Sequence, residues 1–402
     1  MKQRHGMICT LFFALAIASP LPQNRLAYAA TTPEWSKKMQ NLYQVLASLL
    51  TEASSDQRFN NPANFSKIEA DTKKLVALSH SLTQSKMKAP DSDPTLQMLS
   101  GLFSQEANRA LVELKRGHRP YARSLLQSIS GYCIACHTRN PSGPNFKSLP
   151  FEPAPGLTDG FEKGEFYAAS RQFERAESEF SKVIQDHHFA NAKPLAWERA
   201  VHHALNITVR INQSPTQAME VVQAVLDEKN APSFLKQNAV IWKKTLEEWL
   251  AEPTRSAKTE EGLYSEATRL TAKAHELQKY PMDRSADILY LRASAVLHDL
   301  LQFAPNGARA PEALLLIGVC YQVLSPLRMD DIHEIYYAAC IEKSPHTPVS
   351  EICFSRYQES VHAGFTGSSG SDLPSDLKTE LTRLEKLAQP NEINSSSEKA
   401  KP

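Results

Sequence analysis

Glycine is scarce in this chain, 14 of 402 residues, and runs of β-branched residues are short. That argues against a fold of strands and tight turns. The abundance of Ala, Leu, Glu, Lys and Gln argues for helices. After the N-terminal segment no stretch approaches 18 consecutive apolar residues, so no membrane-spanning helix is expected. The part after residue 157 shows no glycine-rich phosphate loop and no nucleophile with a nearby base, and no catalytic residues are assigned in the chain. Net charge is only +1, too little to argue for a nucleic acid partner. The charge is unevenly spread: residues 31–150 carry 15 Lys/Arg against 9 Asp/Glu, and residues 151–402 carry 27 against 35. A basic first part and an acidic second part are expected to attract each other or to choose partners by charge.

The most informative residues are Cys133-Ile134-Ala135-Cys136-His137. C-x-x-C-H is the c-type haem attachment signature. Two thiols must reach two vinyl groups on one porphyrin edge, and the next residue must bring an imidazole to the iron. On a helix these positions are i, i+3 and i+4, one face. A zinc half-site would need a second ligand pair, and no second C-x-x-C exists; a thioredoxin-like redox pair would need a βαβ setting. The pattern therefore predicts one covalent haem c on Cys133 and Cys136, with His137 as axial iron ligand. Arg139 is a candidate partner for a haem propionate.

The N-terminus agrees with this reading. Lys2 and Arg4 precede an apolar stretch over Leu11 to Ala18, and Ala27-Tyr28-Ala29 offers a small-x-small cleavage site. Residues 1–29 are expected to be a signal peptide cleaved near Ala29, giving a periplasmic protein. Haem is attached to C-x-x-C-H chains after export, so motif and signal predict each other. In an oxidising compartment Cys340 and Cys353, either side of a Ser-Pro-His-Thr-Pro turn, are expected to form a disulfide, leaving Cys320 as a buried free thiol.

Four amphipathic helices are expected within 30–140, over about 33–52, 64–84, 94–116 and 120–138. Their apolar stripes run through Met39, Leu42, Leu46 and Leu49; Ile68, Leu75, Leu78 and Leu82; Leu99, Phe103, Ala107, Ala110 and Leu114; and Leu125, Ile129, Tyr132 and Cys136. Short connections favour an up-down-up-down bundle. Antiparallel packing then puts the start of helix one beside the end of helix four. Met39 is the candidate sixth iron ligand, weighed against a core methionine. His80 competes but sits off the apolar stripe, Met87 and Met98 are minor alternatives, and His118 is a helix length from His137. Lys115, Arg116, Arg119 and Arg123 fall at the far pole, where a solvated end is the favoured reading and docking of the acidic part the other. With C-x-x-C-H late in the fourth helix, followed by Arg139, and Ala110 to Gly117 upstream, this part resembles the cytochrome c-prime and cytochrome c-556 family. The resemblance implies a haem inside the bundle with His137 proximal. It implies electron transfer where a Met fills the sixth site, or gas binding where an apolar residue guards it. Members often dimerise, so a homodimer is implied too.

Five prolines mark 141–157 as an extended linker. Residues 158–363 turn helical again. Gly164, Tyr167, Phe173, Ala176 and Phe180 have tetratricopeptide spacing, and Gly318, Tyr321, Tyr336, Ala339 and Pro345 match in part. The region resembles degenerate tetratricopeptide-like repeats, which implies a concave surface for a redox partner protein or peptide; an irregular helical domain without a groove is the other reading. Further helices are expected near 194–211, 215–228, 232–250, 261–279 and 286–303. His187-His188 and His202-His203 are not expected to chelate, since adjacent helical side chains diverge by about 100°. Residues 364–402 read as a linker, a short helix near 376–388 and a disordered tail. The whole is expected to be an all-α, non-enzymatic electron carrier: a four-helix haem bundle, then a helical-repeat domain with few contacts to it. The alternative is a haem-based gas sensor with five-coordinate iron, signalling through the repeats.

Overall fold

Periodic apolar stripes produce helices almost where they were expected. The computed structural model describes residues 33–84, 95–139, 156–253, 259–281, 283–324, 332–367 and 370–390. The segment 1–29, Met87, most of 141–157 and the tail beyond 390 lie outside the described residues. The first helix, α1, spans Pro33–Ala53; a single turn, α2, spans Asp56–Phe59; then come α3 (Pro62–Gln84), α4 (Thr95–Lys115) and α5 (Arg119–His137). Helix α1 packs on α3 and α5, and α4 packs on α3 and α5. Leu46, Leu49, Ile68, Leu75, Leu82, Leu99, Phe103, Ala107, Ala110, Leu125 and Ile129 are all buried between them. Tyr43, not read as part of the α1 stripe, is buried as well, whereas Leu42 and Leu78 are only half-buried.

Two further details of this part depart from the sequence reading. Helix α2 was missed because one turn has no period to detect. It forms because the Ser55 hydroxyl accepts from the Arg58 N–H and Phe59 is fully buried. The basic far pole is also not simply solvated. Arg119 donates to the Phe59 carbonyl, and Arg123 Nε donates to the Ala53 carbonyl at 2.7 Å. Gln127 donates to the same Ala53 oxygen at 3.0 Å. These side chains satisfy carbonyls that the ends of α1 and α2 leave open.

The second part continues with α6 (Gly160–Ala169), α7 (Phe173–Gln185), α8 (His187–Ala192) and α9 (Pro194–Leu205), which runs into a π-helical turn at Asn206–Ile211. Then follow α10 (Pro215–Asp227), α11 (Ser233–Ala251), α12 (Glu260–Leu277), α13 (Asp287–Phe303), α14 (Ala310–Leu324), α15 (Ile332–Lys343) and α16 (Pro348–Gly364). A two-residue β-hairpin (β1 Thr366–Gly367, β2 Gly370–Ser371) precedes α17 (Ser375–Ala388). Among the described residues the chain is thus all-α but for that hairpin. Helices pair with chain neighbours: α6 with α7, α10 with α11, α12 with α13, α14 with α15. Small-into-large packing sets the closeness of two of these pairs. A Cβ at Gly164 would stand 2.4 Å from the Phe180 ring, and one at Gly318 would stand 2.3 Å from Tyr337. The second contact uses Tyr337; Tyr336 instead stacks on Tyr321 with ring centroids 5.1 Å apart.

The expectation of few contacts between the two parts is corrected. Helix α5 packs on α6, and α4 touches α15. Tyr43 meets Phe166 with centroids 5.3 Å apart, and Arg58 donates to the Gly156 carbonyl at 2.9 Å. The buried apolar residues of both parts form one continuous core. Burying an aromatic side chain contributes about 2 kcal/mol, more than a screened surface ion pair. The seam therefore holds buried apolar contacts where only charge attraction had been expected. It leaves a cleft of about 220 Å³ lined by Leu50, Gln127, Leu157, Phe161, Glu162 and Arg199. Burial there, helped by Asp159, raises the Glu162 carboxyl to about 7.

Cys340 and Cys353 are disulfide-bonded across the α15–α16 turn, and Cys320 is a buried free thiol. Burial pushes that thiol up to about 12. Closing a loop of this size restricts the unfolded chain, so Cys340→Ala with Cys353→Ala is expected to cost about 3 kcal/mol. Urea denaturation of the oxidised protein checks this; an unchanged midpoint would mean that the crosslink contributes nothing.

Candidate functional site

The C-x-x-C-H residues form the last turn of α5. Ile134 and Ala135 between the cysteines face the core, while Cys133, Cys136 and His137 share a half-buried face. Neither cysteine is in a disulfide, in contrast to the bonded pair at the other end of the chain. Tyr132 and Phe103 pack beside them with centroids 6.2 Å apart. Cys133 keeps part of its surface open, yet the apolar side chains around its sulfur, with Cys136 adding to the effect, push its thiol up to about 12. Among the described residues no three His, Cys, Asp or Glu side chains are grouped to hold a metal ion. The trio thus does not close on itself as a chelate.

The His137 ring has the most defined environment. Its Nδ1 lies 2.7 Å from the Ala169 carbonyl oxygen at the end of α6. A carbonyl only accepts, so Nδ1 carries the hydrogen. Burial first, and the positive charge of Arg171 second, lower the ring's pKa to about 3, against the opposing pull of the carbonyl. The imidazole is therefore neutral, with a lone pair on Nε2. That is the protonation state a metal-binding imidazole needs. Two thiols outside any disulfide and a tautomer-locked imidazole on one helix face fit the demands of a covalent haem.

The positions of the other candidates follow from register. Ala53 of α1 meets Arg123 of α5. Met39 lies as far back along α1 as His137 lies forward along α5, about 21 Å at 1.5 Å per residue. Met39 is consequently level with His137, half-buried and packed against the core. Met98, near the start of α4, packs on the same core. His80 is exposed, and His118 sits at the opposite pole, bound to Glu113 at 2.7 Å. Arg139 is buried, with its guanidinium on the Thr95 hydroxyl and 5.1 Å from the centre of the Tyr336 ring. It ties α5 to α4 and α15. A groove of about 480 Å³ between α1 and α3 is lined by Asn41, Gln44, Ser48, Asp71 and Lys74 and holds none of the motif residues.

The histidine pairs of the second part go to different partners, as divergent side chains must. His187 binds Glu228, His202 lies 3.4 Å from Asp287, and His203 stacks on Phe180 at 4.9 Å. A buried polar cluster escaped the sequence reading altogether. Arg210, in the π-helical turn, donates to Ser294 at 3.0 Å and to the Tyr321 hydroxyl at 2.9 Å, and His298 approaches the same hydroxyl at 3.2 Å. These residues are scattered over three helical segments, so no local spacing links them. Ala169 was missed for a different reason: its contribution is a backbone carbonyl, which has no sequence signature. Comparison with family models, curated proteins and solved structures returns no match.

Proposed function

We propose that the chain is an exported mono-haem c-type cytochrome that carries electrons. Cys133 and Cys136 would form the thioether links, His137 the proximal bond and Met39 the distal one. The observation that carries the reading is the Nδ1 bond from His137 to the Ala169 carbonyl. It leaves Nε2 as the free lone pair, beside two thiols not used in a disulfide. Bound haem c would supply a one-electron iron couple, and a thioether on the distal side would raise its potential. The packed helix pairs after residue 158 would present a tetratricopeptide-like surface to a redox partner, and its excess of acidic residues suits a basic one.

A gas-sensing reading has one point in its favour: the His137 imidazole is held by the other part of the chain, so a ligand-induced shift at a bound iron would be felt there. The two readings separate on one spectrum. For the carrier, the reduced mature protein should not change its absorption under carbon monoxide, and Met39→Ala should make it do so. A wild-type spectrum that shifts with carbon monoxide would favour the sensor and remove Met39 as a ligand.

A further inference from the structure

Helix α6 ends in a turn that leaves one carbonyl for a partner outside the helix. Arg171 adopts the left-handed conformation, with φ of 57°. Its N–H donates to the Ala168 carbonyl at 3.1 Å, and the Gln172 N–H donates to the Tyr167 carbonyl at 2.8 Å. This is the Schellman arrangement, which satisfies the carbonyls of two residues near a helix end. Ser170 takes the Phe166 carbonyl at 3.1 Å. The Ala169 oxygen accepts from none of these backbone groups; its bond is the one from His137. The negative end of the α6 dipole therefore also points at the ring. Helix α6 is held there by Phe166 against Tyr43 of α1.

We propose that the end of α6 is a working part of the haem site: the Ala169 carbonyl, presented by the turn at Arg171, holds the His137 imidazole and sets the potential of the iron, so that movement of this helix changes the redox level of the bundle. The inference rests on the cytochrome reading and adds a physical link between its two parts. A hydrogen bond from Nδ1 makes the imidazole a stronger donor, which favours the oxidised iron and lowers the potential. Loss of the bond raises it. Ala169 thus acts as a positioning residue through its main chain, and whatever binds the following helices and shifts α6 would tune electron transfer.

Full-length variants isolate the effect. Arg171→Gly keeps the left-handed turn without strain, whereas Arg171→Val places a β-branched residue where the turn disfavours it. Both lose the same charge, so their difference reports the turn. The Arg171→Val protein should have the higher potential, and its His137 Nδ1 hydrogen should exchange faster with solvent by NMR. Phe166→Leu, which loosens α6 from Tyr43 while keeping Arg171, should raise the potential above wild type. It decides the matter should Arg171→Val fail to fold. Equal potentials in the two Arg171 variants, or an unmoved potential in Phe166→Leu, with haem retained through acid-acetone extraction, would overturn this link alone. A wild-type protein that loses its haem in that extraction sinks the cytochrome reading, and the link with it.

Discussion

Replacing both Cys133 and Cys136 by alanine is expected to abolish covalent haem completely. Each thioether needs its own sulfur, and Cys320, the third described cysteine outside a disulfide, is fully buried in the second part with its thiol pushed up to about 12. No other described cysteine can substitute, because Cys340 and Cys353 are bonded to each other. The single variants should differ from the double one. Either remaining thiol still makes one link, so Cys133→Ala and Cys136→Ala should each keep haem through acid-acetone extraction. Their pyridine haemochrome bands should shift, since one vinyl group stays conjugated. The fold should survive all three changes. Both side chains are half-buried, and Cys→Ala trims one sulfur from each without burying a polar group. Circular dichroism of the double variant checks that its helices persist. Haem that resists extraction from a folded double variant would refute the attachment site.

A large effect on stability is expected at Gly164. Its missing Cβ lies 2.4 Å from where the Phe180 ring stands, and Phe180 is itself fully buried against His203. Neither ring can retreat, because Phe161 also packs on both. Gly164→Ala gains about 1 kcal/mol of helix propensity and still loses about 1–3 kcal/mol to overpacking. Gly164→Val adds a branched side chain to the same space and should cost more than 3 kcal/mol. Gly364→Ala is the control, since a Cβ there meets nothing within 4 Å. Urea midpoints of the three variants test the order. A Gly164→Val protein as stable as the control would show that α6 and α7 can move apart freely. Because α6 also carries Ala169, such freedom would weaken the case for a fixed axial imidazole.

The sequence by itself determined the helices and the face on which the three motif side chains lie. Both are local codes. The apolar stripe of α4 through Leu99, Phe103, Ala107 and Ala110 fixes a helix and its inward face whatever lies across from it. The spacing of Cys133, Cys136 and His137 puts three functional groups on one face for the same reason. Even the glycine–aromatic contact of Gly164 with Phe180 was legible as spacing, since the two residues lie in consecutive helices. The tertiary structure decided what local codes do not carry. Tyr337, one residue beyond the expected Tyr336, fills the space at Gly318, because the rotation of α15 about its axis is set by packing on α14. Arg119 and Arg123 looked like a solvated pole until the carbonyl ends of α1 and α2 were brought to them. The seam, expected to depend on charge, formed from Tyr43 and Phe166, residues more than a hundred positions apart. Composition shows how much charge each part carries but not which apolar faces meet. The acceptor for His137 is a main-chain oxygen of Ala169. Every residue has such an oxygen, so only the end of a helix, closed by one left-handed residue and docked against α5, could single it out.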